Sequence, residues 1–224
     1  MAREPELLKC IETGPADADA CLLLLHGLGA DGHDLEGIVP HLQLPSGARW
    51  RFVFPNAPER PVTLNGGMHM RAWYDIDPAA GPNGGSEDIQ ASAAMITDLI
   101  EREIALGIAP ERIVLGGFSQ GGVIALQAGL AHASRLGGIV ALSTYVHDHA
   151  RLADRVSLAS SELPVFMAHG LMDPMIPVQR AATGRSALTE LGYQVEWHEY
   201  PMGHEICAEE LRDLSRWLAR RLTR

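Results

Sequence analysis

Short apolar runs recur along the chain at Cys21 to Leu25, Arg51 to Phe54, Ile113 to Leu115, Leu136 to Leu142, Val165 to Ala168 and Val195 to Tyr200, with longer segments between them. Runs of this length alternating with helix-like stretches predict a mostly parallel central sheet with helices on both faces. Leu7 to Ile11 is expected to add an edge strand. From Ser86, read as an N-cap ahead of Glu87 and Asp88, the residues Ile89, Ala93, Ile96, Ile100 and Ile104 keep near-helical spacing until Gly107, which predicts an amphipathic helix. Near the C-terminus Leu211, Leu214, Leu218 and Leu222 mark one helical face and Arg212, Arg216 and Arg220 another. The stretch from Arg60 to Gly85 breaks the alternation: it is rich in Gly and Pro, carries Met68, Met70, Trp73 and Tyr74, and shows no sustained period. Long irregular segments inside a compact domain serve as lids or binding loops, and 60–85 is expected to be one.

Length and composition narrow this picture. At 224 residues, with 46% hydrophobic and 21% charged residues, the chain predicts one folded domain spanning 1–224, and it contains no internal repeat. The net charge of -10 disfavours nucleic acid as a partner. No apolar run approaches the roughly 20 residues that span a bilayer, and Met1 to Cys10 lacks the apolar core of a signal peptide. The expectation is a cytoplasmic protein without stable membrane insertion. Cys10, Cys21 and Cys207 are odd in number and widely spaced, as suits reduced thiols.

The chemistry centres on Gly117, Phe118, Ser119, Gln120 and Gly121, a GxSxG that directly follows the strand-like Ile113 to Leu115 and precedes a helix-like run from Val123. A strand-to-helix turn this tight needs glycine on either side and lifts the serine hydroxyl clear of the sheet. The competing reading is a glycine-rich turn whose serine only caps the helix. A serine nucleophile needs a base, and the base needs an acid. Of the histidines downstream, His132, His147, His149, His169, His198 and His204, the last lies between the final strand and the terminal helix, where a loop can reach the carboxyl edge of the sheet. Asp173, in the turn after the penultimate strand, is the acid that can meet it; Asp148 and Asp154 belong to an earlier connection. His147 and His149 flank Asp148 and read as a solvated loop rather than a metal pair, since no ligand cluster accompanies them. The amide after the nucleophile, that of Gln120, supplies one oxyanion donor, and the turn His26 to Gly29 after the first apolar strand is the source of the second. Cys207, three residues past His204, reads as an incidental thiol because the turn chemistry surrounds Ser119.

With these residues assembled, the chain resembles the carboxylesterase and acyl-protein thioesterase family of small α/β-hydrolases, and most of all its small bacterial carboxylesterases. The resemblance runs from about Leu7 to Leu222 through six ordered motifs: HGLGAD at His26 to Asp31, FPNAPERPVTLNGG at Phe54 to Gly67, AWYD at Ala72 to Asp75, GFSQGG at Gly117 to Gly122, HGLMDPMIP at His169 to Pro177 and YPMGHE at Tyr200 to Glu205. It implies the α/β-hydrolase fold, a triad of Ser119, Asp173 and His204, oxyanion amides from Leu28 and Gln120, and substrate contacts from Trp73, Met70 and Leu171. It implies a small-molecule ester of short to medium chain as substrate, with no metal or organic cofactor, and leaves a homodimer open. The same triad would serve an acyl-protein thioesterase or a lysophospholipase, and a catalytically silent binding protein on this fold is the remaining rival. Two departures bear on the pocket: Arg71 stands where many relatives have proline, and Pro78 to Gly85 is rich in small residues.

Overall fold

The computed structural model describes residues 7–44, 46–81 and 84–222; Met1 to Glu6, Pro82, Asn83 and the side chain of Leu222, all used in the sequence reading, lie outside the described part. The apolar runs form strands: β1 (Cys10–Thr13), β2 (Ala20–Leu25), β3 (Trp50–Pro55), then a separate pair β4 (Glu59–Val62) and β5 (Met68–Arg71), followed by β6 (Ile113–Phe118), β7 (Gly138–Leu142), β8 (Val165–Gly170) and β9 (Val195–Tyr200). Seven of them make one sheet in the order β1-β3-β2-β6-β7-β8-β9, parallel throughout except for β1, which runs antiparallel to β3. The edge strand expected at Leu7 to Ile11 lies a few residues later, because Cys10 to Thr13 is the stretch that pairs with Pro55 to Phe52.

Strand alternation divides the interior in two. Cys21, Leu23 and Leu25 of β2 enter a core completed by α2 (Ser86–Ala105), α3 (Gln120–Ala131) and α4 (Val178–Glu190), while Ala20, Leu22 and Leu24 enter a second core completed by α1 (Gly32–Glu36) and α5 (Ala208–Leu222). Helices therefore cover both faces. In α2 the buried Ile89, Ala93, Ile96 and Ile100 are the periodic set, but the residue at the N-cap is Gly85, with φ of 78°, and Ser86 is the first helical residue. In α5 Leu211, Leu214 and Leu218 are buried against the sheet. Among the described residues no helix is long and apolar enough to cross a membrane.

The 60–85 segment is more ordered than its composition predicts. β4 and β5 form an antiparallel hairpin with Glu59 opposite Arg71 and Val62 opposite Met68. Only Val62 of these eight residues is buried, so the ribbon has no apolar alternation to betray it, and Pro61 is tolerated because a two-stranded ribbon leaves free edges.

Candidate active site

Every candidate group stands at the carboxyl edge of the parallel sheet: the His26 to Gly29 turn after β2, Ser119 after β6, Asp173 after β8 and His204 after β9. Ser119 sits at φ 55° and ψ -120°, a conformation that costs a non-glycine residue on the order of 1–3 kcal/mol. The surroundings enforce it. A Cβ on Gly121 would lie 2.3 Å from the Leu25 carbonyl oxygen and one on Gly117 2.4 Å from Gly121, so β6 and α3 meet at a distance only glycine permits. The Ser119 amide donates to Leu142 O at 2.9 Å and the Thr144 hydroxyl to Ser119 O at 2.7 Å, fixing the turn from the β7 side.

The two loops that bear the other groups are bound to each other. Leu171 N–H donates to Tyr200 O at 2.8 Å and Met172 N–H to Met202 O at 3.0 Å. A Cβ at Gly170 would fall 2.1 Å from Gly203 O, so the glycine lets the loops close. Asp173 and His204 are thereby brought together, with Nδ1 of the imidazole 2.7 Å from Asp173 Oδ2 and Nε2 2.8 Å from Ser119 Oγ. Burial alone would raise the Asp173 carboxyl, but the amides of Ile176 and Met175, at 2.9 and 2.8 Å from Oδ1, and the His204 contact outweigh it and hold Asp173 below the usual carboxylate range. An ionised carboxylate only accepts, which puts the Nδ1 proton on His204 and leaves Nε2 free to accept from Ser119 Oγ–H. The Phe118 ring packs against the imidazole with centroids 4.8 Å apart.

The His26 to Gly29 turn, the candidate oxyanion turn, lies alongside: a Cβ at Gly27 would be 3.4 Å from Ser119 Cβ, and Leu28 and Gln120 both line the groove that opens at Ser119. The turn is held from behind. His26 Nε2 accepts from the Ala57 amide at 3.0 Å and its Nδ1–H donates to Gly27 O at 2.7 Å; with both nitrogens committed, and burial pushing its pKa down, the ring stays neutral. Gly29 N–H donates to Arg71 O at 2.9 Å, which ties the turn to the hairpin.

Three residues expected to contact substrate, Trp73, Met70 and Leu171, are not among the groove's walls. Trp73 is 0% exposed; its indole N–H donates to His26 O at 2.9 Å and its amide to Gln120 Oε1 at 2.7 Å, so it braces the oxyanion turn from the core. Met70 packs behind the same turn, its sulfur 3.7 Å from where a Gly29 Cβ would be. Leu171 is 51% exposed, and its backbone N–H takes part in the loop-to-loop contact. The groove itself, about 370 Å³, is walled by Leu28, Leu64, Tyr74, Ile76, Phe118, Tyr145, Met175, Ile176 and Arg180. Leu64, Tyr74 and Ile76 come from the 60–85 segment expected to be a binding loop; sequence reasoning missed most of the others because they stand in ones and twos on separate connections. The Gln120 side chain was missed too: it accepts from the Trp73 amide and donates to Tyr74 O at 2.7 Å, joining the nucleophile turn to the hairpin strap. Of the two histidines read as a solvated pair, His147 is buried and 2.9 Å from Ser86 Oγ. Among the described residues no group of three or more His, Cys, Asp or Glu side chains is placed to hold a metal ion.

Comparison with known proteins agrees with this architecture. Residues 8–222 match the phospholipase/carboxylesterase family. Acyl-protein thioesterase 1 of Gibberella zeae is 39% identical over 213 residues, covering 91% of each chain, and its namesake from Neurospora crassa is 39% identical over 242 residues, covering 99% of this chain and 94% of its own. Among solved structures, SOBER1 of Arabidopsis thaliana superposes with a TM-score of 0.85 at 30% identity, covering 91% of this chain and 99% of that one.

Proposed function

The chain belongs to the phospholipase/carboxylesterase family of serine hydrolases on the α/β-hydrolase fold, and from that premise we propose that it is a carboxylesterase cleaving short to medium acyl esters through an acyl intermediate on Ser119. The observation that carries this reading is the unbroken hydrogen-bonded series from Ser119 Oγ through His204 to Asp173 at the floor of a largely apolar groove. Ser119 Oγ attacks the ester carbonyl as its proton passes to His204 Nε2. The carbonyl oxygen takes the negative charge between the amides of Leu28 and Gln120, each worth about 3 kcal/mol of transition-state stabilisation. Collapse expels the alcohol, which takes the proton back from His204. Water, deprotonated by the same nitrogen, then releases the acid and restores Ser119. Asp173 stays ionised throughout and stabilises the imidazolium.

A second reading, acyl-protein thioesterase, is favoured by the names of the fungal relatives at 39% identity. The two separate on substrate: kcat/KM is to be measured on p-nitrophenyl hexanoate and on an S-palmitoylated peptide. The carboxylesterase reading predicts the higher value on the hexanoate; a higher value on the peptide overturns it in favour of the thioesterase.

A further inference from the structure

Two charged side chains, Asp34 and Arg180, line the groove. Asp34 belongs to α1, directly after the oxyanion turn. Arg180 belongs to the first turn of α4, where its guanidinium carbon lies over the Tyr145 ring, 3.4 Å from the centroid. Tyr145 is a fixed platform: its hydroxyl is 3.1 Å from that of Tyr74, and its neighbour Thr144 is bonded to the Ser119 carbonyl. Stacking occupies the face of a guanidinium and leaves its in-plane N–H fork open.

That fork is unspent. Arg51, Arg60, Arg102 and Arg112 are each tied to a carboxylate, and Arg155 donates to the carbonyls of His147 and Asp148. Among the described residues no carboxylate lies within 4.0 Å of Arg180 and none accepts a hydrogen bond from it. A second cavity of about 330 Å³, walled by Asp75 and Asp77, shares Tyr74, Ile76, Tyr145 and Arg180 with the groove. The groove is walled by one carboxylate, Asp34, against two in that cavity, and it is the groove that also holds Ser119. In a chain of net charge -10, a cation placed this way is the local exception, and the low-dielectric walls of the groove strengthen its pull.

We propose that Arg180 is a specificity-determining residue that selects esters whose acyl chain ends in an oxyacid anion, a carboxylate or a phosphate-type group. The proposal rests on the esterase reading above and deepens it. A charge-assisted hydrogen bond from a guanidinium would favour an anionic ligand by about tenfold or more.

The test compares matched substrates, p-nitrophenyl hemiadipate against p-nitrophenyl hexanoate and the hemisuberate against the octanoate, with a terminal phosphonate as a third arm and uncatalysed hydrolysis subtracted. Arg180→Met is expected to lower the ratio of kcat/KM, anionic over neutral, about tenfold, mainly through KM, and Arg180→Glu to lower it further. Arg185→Met, which removes the same charge from the Trp197 surface outside the groove, is expected to leave the ratio unchanged. Added salt should narrow the ratio in the native enzyme and not in Arg180→Met. Loss on the carboxylate or the phosphonate arm supports the proposal and identifies the group held. A ratio that Arg180→Met leaves unmoved, or that Arg185→Met lowers equally, overturns it while hexanoate turnover preserves the esterase reading. No turnover of any ester overturns both.

Discussion

Two regions converge on Ser119 and are built in different ways. The strand-end loops after β6, β8 and β9 carry Ser119, Asp173 and His204, the reacting groups of the proposed mechanism, and each loop is fixed by its own neighbours: the turn at Ser119 by glycines that no Cβ could replace, the other two by backbone hydrogen bonds between them. The segment from Ala57 to Tyr74 supplies no reacting atom. It contributes instead the Ala57 amide on His26, the Arg71 carbonyl on Gly29, the Trp73 indole on His26 O, and the carbonyl and amide clasped by Gln120. Under the proposed mechanism the strand ends place the reacting groups, while the His26 to Gly29 turn, which has no regular structure of its own, is held by the β4–β5 hairpin and the Ala72 to Tyr74 stretch after it.

Substitutions can break that division of labour. The largest effect is expected in the first region: Ser119→Ala should lower kcat by about 10⁴-fold or more with melting temperature unchanged or raised, since it removes the attacking atom while the fold keeps its contacts. Asp173→Asn should cost about 10³- to 10⁴-fold in kcat, through loss of the His204 tautomer. It should also alter acid stability. The folded pKa of Asp173 lies below its unfolded value, so its contribution is complete above the unfolded pKa of about 3.9 and is lost as pH falls through the folded one; urea titrations between neutrality and pH 3 should show a shallower acid loss in Asp173→Asn than in the native protein.

The second region should respond differently. Trp73→Phe keeps most of the ring but orphans the buried His26 carbonyl, at a cost of about 1–3 kcal/mol in unfolding free energy, with a fall in kcat that exceeds any rise in KM as the Leu28 amide loosens. A stability loss with kcat unchanged would restrict the strap to folding. The smallest effect belongs to Arg71→Met: its guanidinium, partly exposed, reaches Ala57 O at 3.1 Å and Glu59 at 3.8 Å, and removing it should cost under about 1 kcal/mol, because it is the backbone carbonyl of residue 71 that holds Gly29.

The same contrast explains what could be read in advance. The order of strands and helices and the Ser119, Asp173 and His204 set are local signals: apolar runs, a GxSxG between strand and helix, a turn after each of the last two strands. Trp73 could not be placed in that way. Its aromatic character suits a substrate wall and a core brace equally, and the choice depends on hydrogen bonds to His26 and Gln120, both 47 residues away. The hairpin escaped because, with one buried residue in eight, it has no core-facing period to detect. Arg180 escaped because a lone arginine on a helix reads as a solvated face until Tyr145, from a different connection, is seen beneath it.

The central claim is that Ser119 becomes acylated. Acid quenching of the enzyme during steady turnover of p-nitrophenyl hexanoate, followed by mass analysis of the intact chain and its peptides, tests it most directly. A mass increase of one hexanoyl group is expected, mapped to Ser119 and absent from Ser119→Ala. A hexanoyl group found on another residue, such as Cys207, would contradict it.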